Sequence, residues 1–144
     1  MDLKGKVVVI TGAAQGLGFC MAEQLAQRGA RLALVDMNQE RLDAAVEKLA
    51  GEGCEARGYK VNVAVEDEVV ALFADVCKDF GALNGLINNA GITRDHMLIK
   101  ADHHEIRKKM SLDEWNAVIA VNQTGVFLCG REAAANMVTH SCEG

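Results

Sequence analysis

The chain holds 144 residues, 15 basic against 20 acidic for a formal net charge of −5, with half of its side chains apolar and 24% charged. This composition excludes a disordered chain, and a mildly acidic balance without a basic run excludes the electrostatic footprint of a nucleic-acid or anionic-membrane partner. The longest apolar run, residues 69–74, falls far short of the ~20 residues of a bilayer span, and residues 1–17 hold only a short apolar stretch at 7–10, which predicts no signal peptide and a cytoplasmic protein.

The first element is a β-branched run, KVVVIT at residues 6–11, closed by Gly12; a second, RLALVD at 31–36, lies between Ala30 and Asn38. Both predict buried parallel strands. Between them, residues 17–28 space Leu17, Met21 and Leu25 along one helix face, and Gly29 stands where a helix end takes a left-handed residue. Asn38 is the predicted cap of a second helix with Leu42, Ala45, Val46 and Leu49 on one side and Gly51 after its end. Residues 55–63 predict a weaker third strand. Glu66, Asp67 and Glu68 suit the positive first turn of a third helix, whose inward face is Val69, Leu72, Phe73, Val76 and Phe80 before Gly81.

Residues 83–88, LNGLIN, predict a fourth strand. The polar stretch after Gly91, up to Met110, is either a functional loop or a small hairpin. Ser111-Leu112-Asp113-Glu114 is a capping box, and Trp115, Val118 and Ile119 follow at helical spacing. That helix should bend near Asn122-Gln123-Thr124-Gly125 and resume over 126–138, before a turn-like end at 139–144. Strands alternating with helices indicate an α/β fold, a doubly wound parallel sheet in strand order 3-2-1-4 with helices on both faces and strands five onward missing from this stretch. Cys20, Cys54, Cys77, Cys129 and Cys142 form no Cys-x-x-Cys pair and read as reduced, mostly buried thiols.

Thr11 to Gly18 reads TGAAQGLG and joins the first strand to the first helix. Glycines at 12, 16 and 18 allow a tight turn, close approach of backbone to a pyrophosphate and close helix packing, and the helix's free N–H groups attract the anion. An ordinary strand-to-helix turn has the same composition. Asp36, ending the next strand, supplies the carboxylate that a dinucleotide site needs for the adenosine ribose hydroxyls.

Thr-Gly-x-x-x-Gly-x-Gly at 11–18, Asn-Asn-Ala-Gly at 88–91, and Trp115 with Asn122 in WNAVIAVNQTGVF resemble the short-chain dehydrogenase/reductase family over the whole chain. NNAGITRD at 88–95 is most similar to its 3-oxoacyl-carrier-protein reductase branch. The resemblance implies that residues 1–144 are the N-terminal part of a single NAD(P)-binding, Rossmann-like domain. It places Gly12, Ala14, Gln15, Gly16, Leu17, Gly18, Asp36, Met37, Asn62, Val63, Asn89, Ala90 and Gly91 around the cofactor. Asn62 stands where the family has an aspartate that meets the adenine amino group, and its amide oxygen can accept the same bond. A carboxylate at Asp36 with no Arg or Lys at 12–18, 37 or 38 favours NAD over NADP.

The implied chemistry is hydride transfer to or from a carbonyl or hydroxyl carbon, with a tyrosine as proton donor, a lysine four positions on, a serine and an asparagine. Asn122 matches the asparagine. The sole tyrosine, Tyr59, has Val63 at +4, and the only serines are Ser111 and Ser141, so the serine and the Tyr-x-x-x-Lys pair belong beyond Gly144 and the stretch alone should be inactive. The absence of proline fits, since the family's Pro-Gly segment lies further still. The expected substrate is a 3-oxoacyl thioester; Leu128 after Phe127, where carrier-protein reductases place a basic residue, favours a CoA thioester or free ketone. The family also implies a homo-oligomer through the 111–138 helix, where Ala133, Ala134 and Ala135 permit close approach. Two alternatives stand: a non-catalytic nucleotide-binding module, and an S-adenosylmethionine methyltransferase. His96 and the adjacent His103-His104-Glu105 lack metal-ligand spacing and predict no metal, and Arg107-Lys108-Lys109 reads as a solvated surface.

Overall fold

The computed structural model describes residues 2–139. Four parallel strands, Val7–Thr11 (β1), Arg31–Asp36 (β2), Ala56–Lys60 (β3) and Gly85–Ile87 (β4), form a sheet in the order β3-β2-β1-β4. Around them lie Gly16–Ala26 (α1), Gln39–Gly51 (α2), Glu66–Phe80 (α3), Leu112–Ile119 (α4) and Val126–Thr139 (α5). β1 is valine- and isoleucine-rich because both of its faces are covered, and all of its residues are buried.

The pleat divides the core in two. Val8, Ile10, Leu32 and Leu34 meet Ala22 of α1 and Leu42, Ala45 and Leu49 of α2 on one face. Val7, Val9, Ala33 and Val35 meet Val69, Leu72, Phe73, Val76 and Phe80 of α3 and Leu128, Cys129 and Ala133 of α5 on the other. This is the doubly wound, Rossmann-like 3-2-1-4 arrangement that the sequence pattern predicts. Because the strands are parallel, Thr11, Asp36 and the chain after Ile87 all emerge at the same edge.

Several boundaries differ from expectation. α2 continues through Gly51, and Gly53, at φ +86°, takes the left-handed position instead. β3 stops at Lys60 because the Asn62 side chain accepts the Ala64 N–H at 3.0 Å and turns the chain toward α3. β4 is short because the Asn84 side chain, not its backbone, accepts the Val7 N–H at 2.9 Å. Of the described cysteines only Cys129 is buried; Cys54 and Cys77 are half-buried, and Cys20 is exposed because α1 turns Gly18 and Ala22 inward instead. Cys142, Ser141 and residues 140–144 of the expected terminal turn lie outside the described residues.

The stretch after Gly91 contains a hairpin, Ile99–Asp102 (β5) against Glu105–Lys109 (β6). Its turn residues His103 and His104 sit at φ +42° and +69°, the left-handed conformation that two-residue hairpin turns require. Every residue of both strands is exposed. The Ser111–Glu114 capping box is formed, and between α4 and α5 the chain widens into a π-helical segment, Ala120–Gly125, at the expected bend. No helix among the described residues is long and apolar enough to cross a membrane.

Candidate functional site

Thr11, the last residue of β1, is 1% exposed, and its hydroxyl accepts the N–H groups of Asn89 (3.1 Å) and Ala90 (3.0 Å). In return the Asn89 side-chain amide donates to the carbonyls of Thr11 (3.1 Å) and Gly12 (3.0 Å). The loops leaving β1 and β4 are thereby tied together. They are also pressed close: at Gly12, φ +65°, a Cβ would stand 2.9 Å from Ala90 Cα, and at Gly18 one would stand 2.1 Å from the Gly12 carbonyl oxygen. The glycine at 18 is thus a packing requirement between α1 and its own entry loop.

Beside this knot opens a groove of about 380 Å³. Asp36 is fixed on its wall: one carboxylate oxygen accepts the Ala14 N–H (3.2 Å), the other the Asn38 N–H (3.0 Å). α1 enters from Gln15 with no side-chain cap and no acidic residue in its first turn, so its leading N–H groups are left to an anion. Gly16, at φ +56°, has open space where a side chain would stand. An uncapped helix start, a glycine cradle and an oriented carboxylate suit a dinucleotide's pyrophosphate and ribose, so these residues fit such a group.

Gly12, Gln15, Gly16, Asp36 and Met37 line the groove, as do Asn62, Val63, Asn89, Ala90 and Gly91. Ala14 acts through its bond to Asp36, Gly18 packs beneath Gly12, and Leu17 is 78% exposed outside the lining. Asn122 lies on the π-helical segment behind Gly91: its Oδ1 accepts the Ile92 N–H at 2.9 Å and its Nδ2 donates to the Ile92 carbonyl at 3.0 Å. Both halves of its amide are spent on the backbone of one residue.

Val35, Val61, Ile92 and Val121 complete the lining and escaped sequence reasoning, since apolar wall residues carry no chemical signature. Arg41 escaped too. It stands in the first turn of α2, and its guanidinium reaches across to the Gln15 side-chain oxygen. Tyr59, on β3, donates its hydroxyl to Asp79 Oδ2 at 2.8 Å, and burial together with that bond pushes its pKa up. In the first turn of α4, Glu114 accepts from the Ser111 N–H (2.8 Å) and Lys108 (3.1 Å), with His96 Nδ1 at 2.8 Å; the first two hold its carboxyl down to about 2.

A family model described as short chain dehydrogenase matches residues 6–144. The 5-keto-D-gluconate 5-reductase of Escherichia coli K12 is 41% identical over 137 residues, 95% of this chain and 50% of that protein. The 3-oxoacyl-[acyl-carrier-protein] reductase FabG of Staphylococcus aureus Mu50 is 37% identical over 134 residues, 92% of this chain and 51% of that protein. The chain spans about half the length of the curated relatives it matches. Among solved structures, a short chain dehydrogenase/reductase from Burkholderia phymatum in complex with NAD superposes with TM-score 0.84 at 31% identity, covering 100% of this chain and 48% of that one. A metagenomic short-chain oxidoreductase in complex with NADP gives 0.83 at 31% identity, covering 96% and 59%. These likenesses set aside the methyltransferase alternative.

Proposed function

The chain belongs to the short-chain dehydrogenase family, and we propose that it is the cofactor-binding part of an oxidoreductase moving a hydride between a nicotinamide dinucleotide and a carbonyl or hydroxyl carbon. The observation that carries this reading is the Asp36 carboxylate, fixed by two backbone N–H groups on the wall of the groove. The nicotinamide, when bound, supplies or takes up the hydride. The first turn of α1, with Gly12, Ala14, Gln15, Gly16, Leu17 and Gly18, holds the pyrophosphate. Asp36 and Met37 hold the ribose. Asn62, one lone pair of whose side-chain oxygen already accepts from Ala64, meets the adenine with Val63, and Asn89, Ala90 and Gly91 wall the adenosine half. Asn122 steadies Ile92 and through it the edge on which a proton relay runs.

Asp36 repels a 2′-phosphate, so NAD is the favoured cofactor. The 144 residues contain no Tyr-x-x-x-Lys pair and Tyr59 is committed to Asp79, so this stretch by itself binds cofactor without turning substrate over. The NNAGITRD motif and the Staphylococcus aureus relative support a 3-oxoacyl thioester as substrate. The Escherichia coli relative favours a small keto acid as the second reading, and the burial of Leu128 in the core agrees with a substrate that needs no basic docking residue there. Homo-oligomer formation through α4 and α5 is supported by the exposure of Leu112, Trp115 and Phe127; Ala133 is buried against the core, leaving Ala134 and Ala135 for the approach. We place the protein in the cytoplasm.

The test is titration of the chain with NADH, followed by NADH oxidation with acetoacetyl-CoA and with 5-keto-D-gluconate after fusion of a segment that carries a Tyr-x-x-x-Lys pair. Saturable binding that weakens in Asp36→Ala is expected. Absence of saturable binding overturns the reading, and binding without turnover in the completed protein would leave a nucleotide-binding module.

A further inference from the structure

Four contacts at the groove's rim close a ring: Ala14 N–H to Asp36, Asn38 N–H to Asp36, Arg41 N–H to the Asn38 side chain at 3.0 Å, and the Arg41 guanidinium to Gln15, next to Ala14 in the chain. Arg41 is exposed, its side-chain partner is a neutral amide, and among the described residues it enters no ion pair. The neighbouring cation on α2, Lys48, is engaged: it pairs with Glu23 at 2.5 Å and lies over the Phe19 ring at 5.0 Å. Arg41 and Lys48 border a second hollow of about 230 Å³, with Ala14 on its lining.

Resting on the dinucleotide reading above, we propose that Arg41 is a specificity-determining residue that offers its guanidinium to a ribose 2′-phosphate and so limits how far Asp36 excludes the phosphorylated cofactor. Asp36, the proposed ribose partner, accepts from Ala14, and Arg41 reaches the adjacent Gln15, so the guanidinium stands on the rim next to the carboxylate that holds the ribose. Exchange of a neutral amide acceptor for a dianion strengthens every N–H bond the guanidinium makes, and its planar fork matches phosphate oxygens in pairs. Little holds it back, because an exposed arginine leaves a single neutral partner. With ribose cofactor lacking the phosphate, Arg41 stays on Gln15 and contributes only to the shape of the rim.

The experiment measures NADH and NADPH binding to the chain by nicotinamide fluorescence, for the unaltered protein, Arg41→Met, Arg41→Lys and Gln15→Ala, each also in an Asp36→Ala background where NADPH binds more tightly. Arg41→Met should weaken NADPH about tenfold and change NADH by less than twofold, Arg41→Lys should retain most of the NADPH binding, and Gln15→Ala, in the part of the site shared by both cofactors, should move NADH and NADPH together. A residue that only braced the loop would shift both cofactors together, and Gln15→Ala would then copy Arg41→Met; that result, or an unmoved NADPH-to-NADH ratio in Arg41→Met, overturns the assignment. If the unaltered protein binds neither dinucleotide, the dinucleotide reading falls and this inference falls with it.

Discussion

Gly18→Ala places one methyl group where the fold has left no room for it. The new Cβ would stand 2.1 Å from the Gly12 carbonyl oxygen, 2.6 Å from Asn89 Nδ2 and 2.9 Å from the Gly12 carbonyl carbon, against an ordinary contact of 3.4–4 Å. Gly12 cannot retreat, because it is itself backed against Ala90 and its carbonyl is held by Asn89. Relief therefore requires both displacing α1 from its entry loop and giving up the Asn89 side-chain bonds to Thr11 and Gly12. Overpacking of this kind costs about 1–3 kcal/mol, and two lost hydrogen bonds add about 1 kcal/mol each. The expected destabilisation is about 3–5 kcal/mol, a large part of the ~5–15 kcal/mol that holds a typical domain. Urea unfolding followed by circular dichroism measures it, with Gly51→Ala as the control: that position ends α2 with nothing within 4 Å of a new Cβ, and alanine there should stabilise by about 0.5 kcal/mol or more. A Gly18→Ala protein within about 0.5 kcal/mol of the unaltered one would refute the knot between the two loops.

Thr11→Val strips the acceptor from two half-buried backbone N–H groups and should cost about 1–3 kcal/mol by the same unfolding measurement. Asp36→Ala should collapse a preference for NADH over NADPH on the order of a hundredfold toward parity, read by fluorescence titration. Asn122→Leu leaves both the N–H and the carbonyl of Ile92 without their partner, and hydrogen exchange at the Ile92 amide should accelerate. Glu114 has its pKa lowered to about 2 by the Ser111 N–H and Lys108, so its stabilising contribution is present above the ordinary 4.5 and is lost as pH falls from there through about 2; Glu114→Gln should flatten the stability profile across that window, and an unchanged profile would count against the capping box as an acid-sensitive contact.

The strand order, the helix faces and the capping box were legible because each rests on a periodic or local signal: the unbroken apolar runs of β1 and β2, the 3–4 spacing of Val69, Leu72, Phe73 and Val76, and Ser111 with Glu114 three residues later. The ends of β3 and β4 were not, because side chains of Asn62 and Asn84 took backbone partners that pattern alone assigns to the ladder. Of the site, the glycines and Asp36 announced themselves by type and spacing. Arg41 did not, since what matters is where the first turn of α2 returns it relative to Gln15, 26 positions earlier in the chain. The cysteines misled for a related reason: a small apolar side chain within a helix does not reveal which way that helix faces, and Cys20 turned outward.

The widened turn between α4 and α5 acts as a phase shifter in the helical stack. A residue accommodated in a π-helical turn adds length without advancing the helix by the usual step, and each residue of a regular helix rotates the following face by about 100°. Excising a single residue from Ala120–Gly125 would therefore turn Leu128, Cys129 and Ala133 off the sheet while leaving Trp115 where it is. Insertions and deletions in this stretch are thus counted in angle as well as in length, whereas the hairpin at residues 99–109, exposed along both strands, sets no helix face against the sheet.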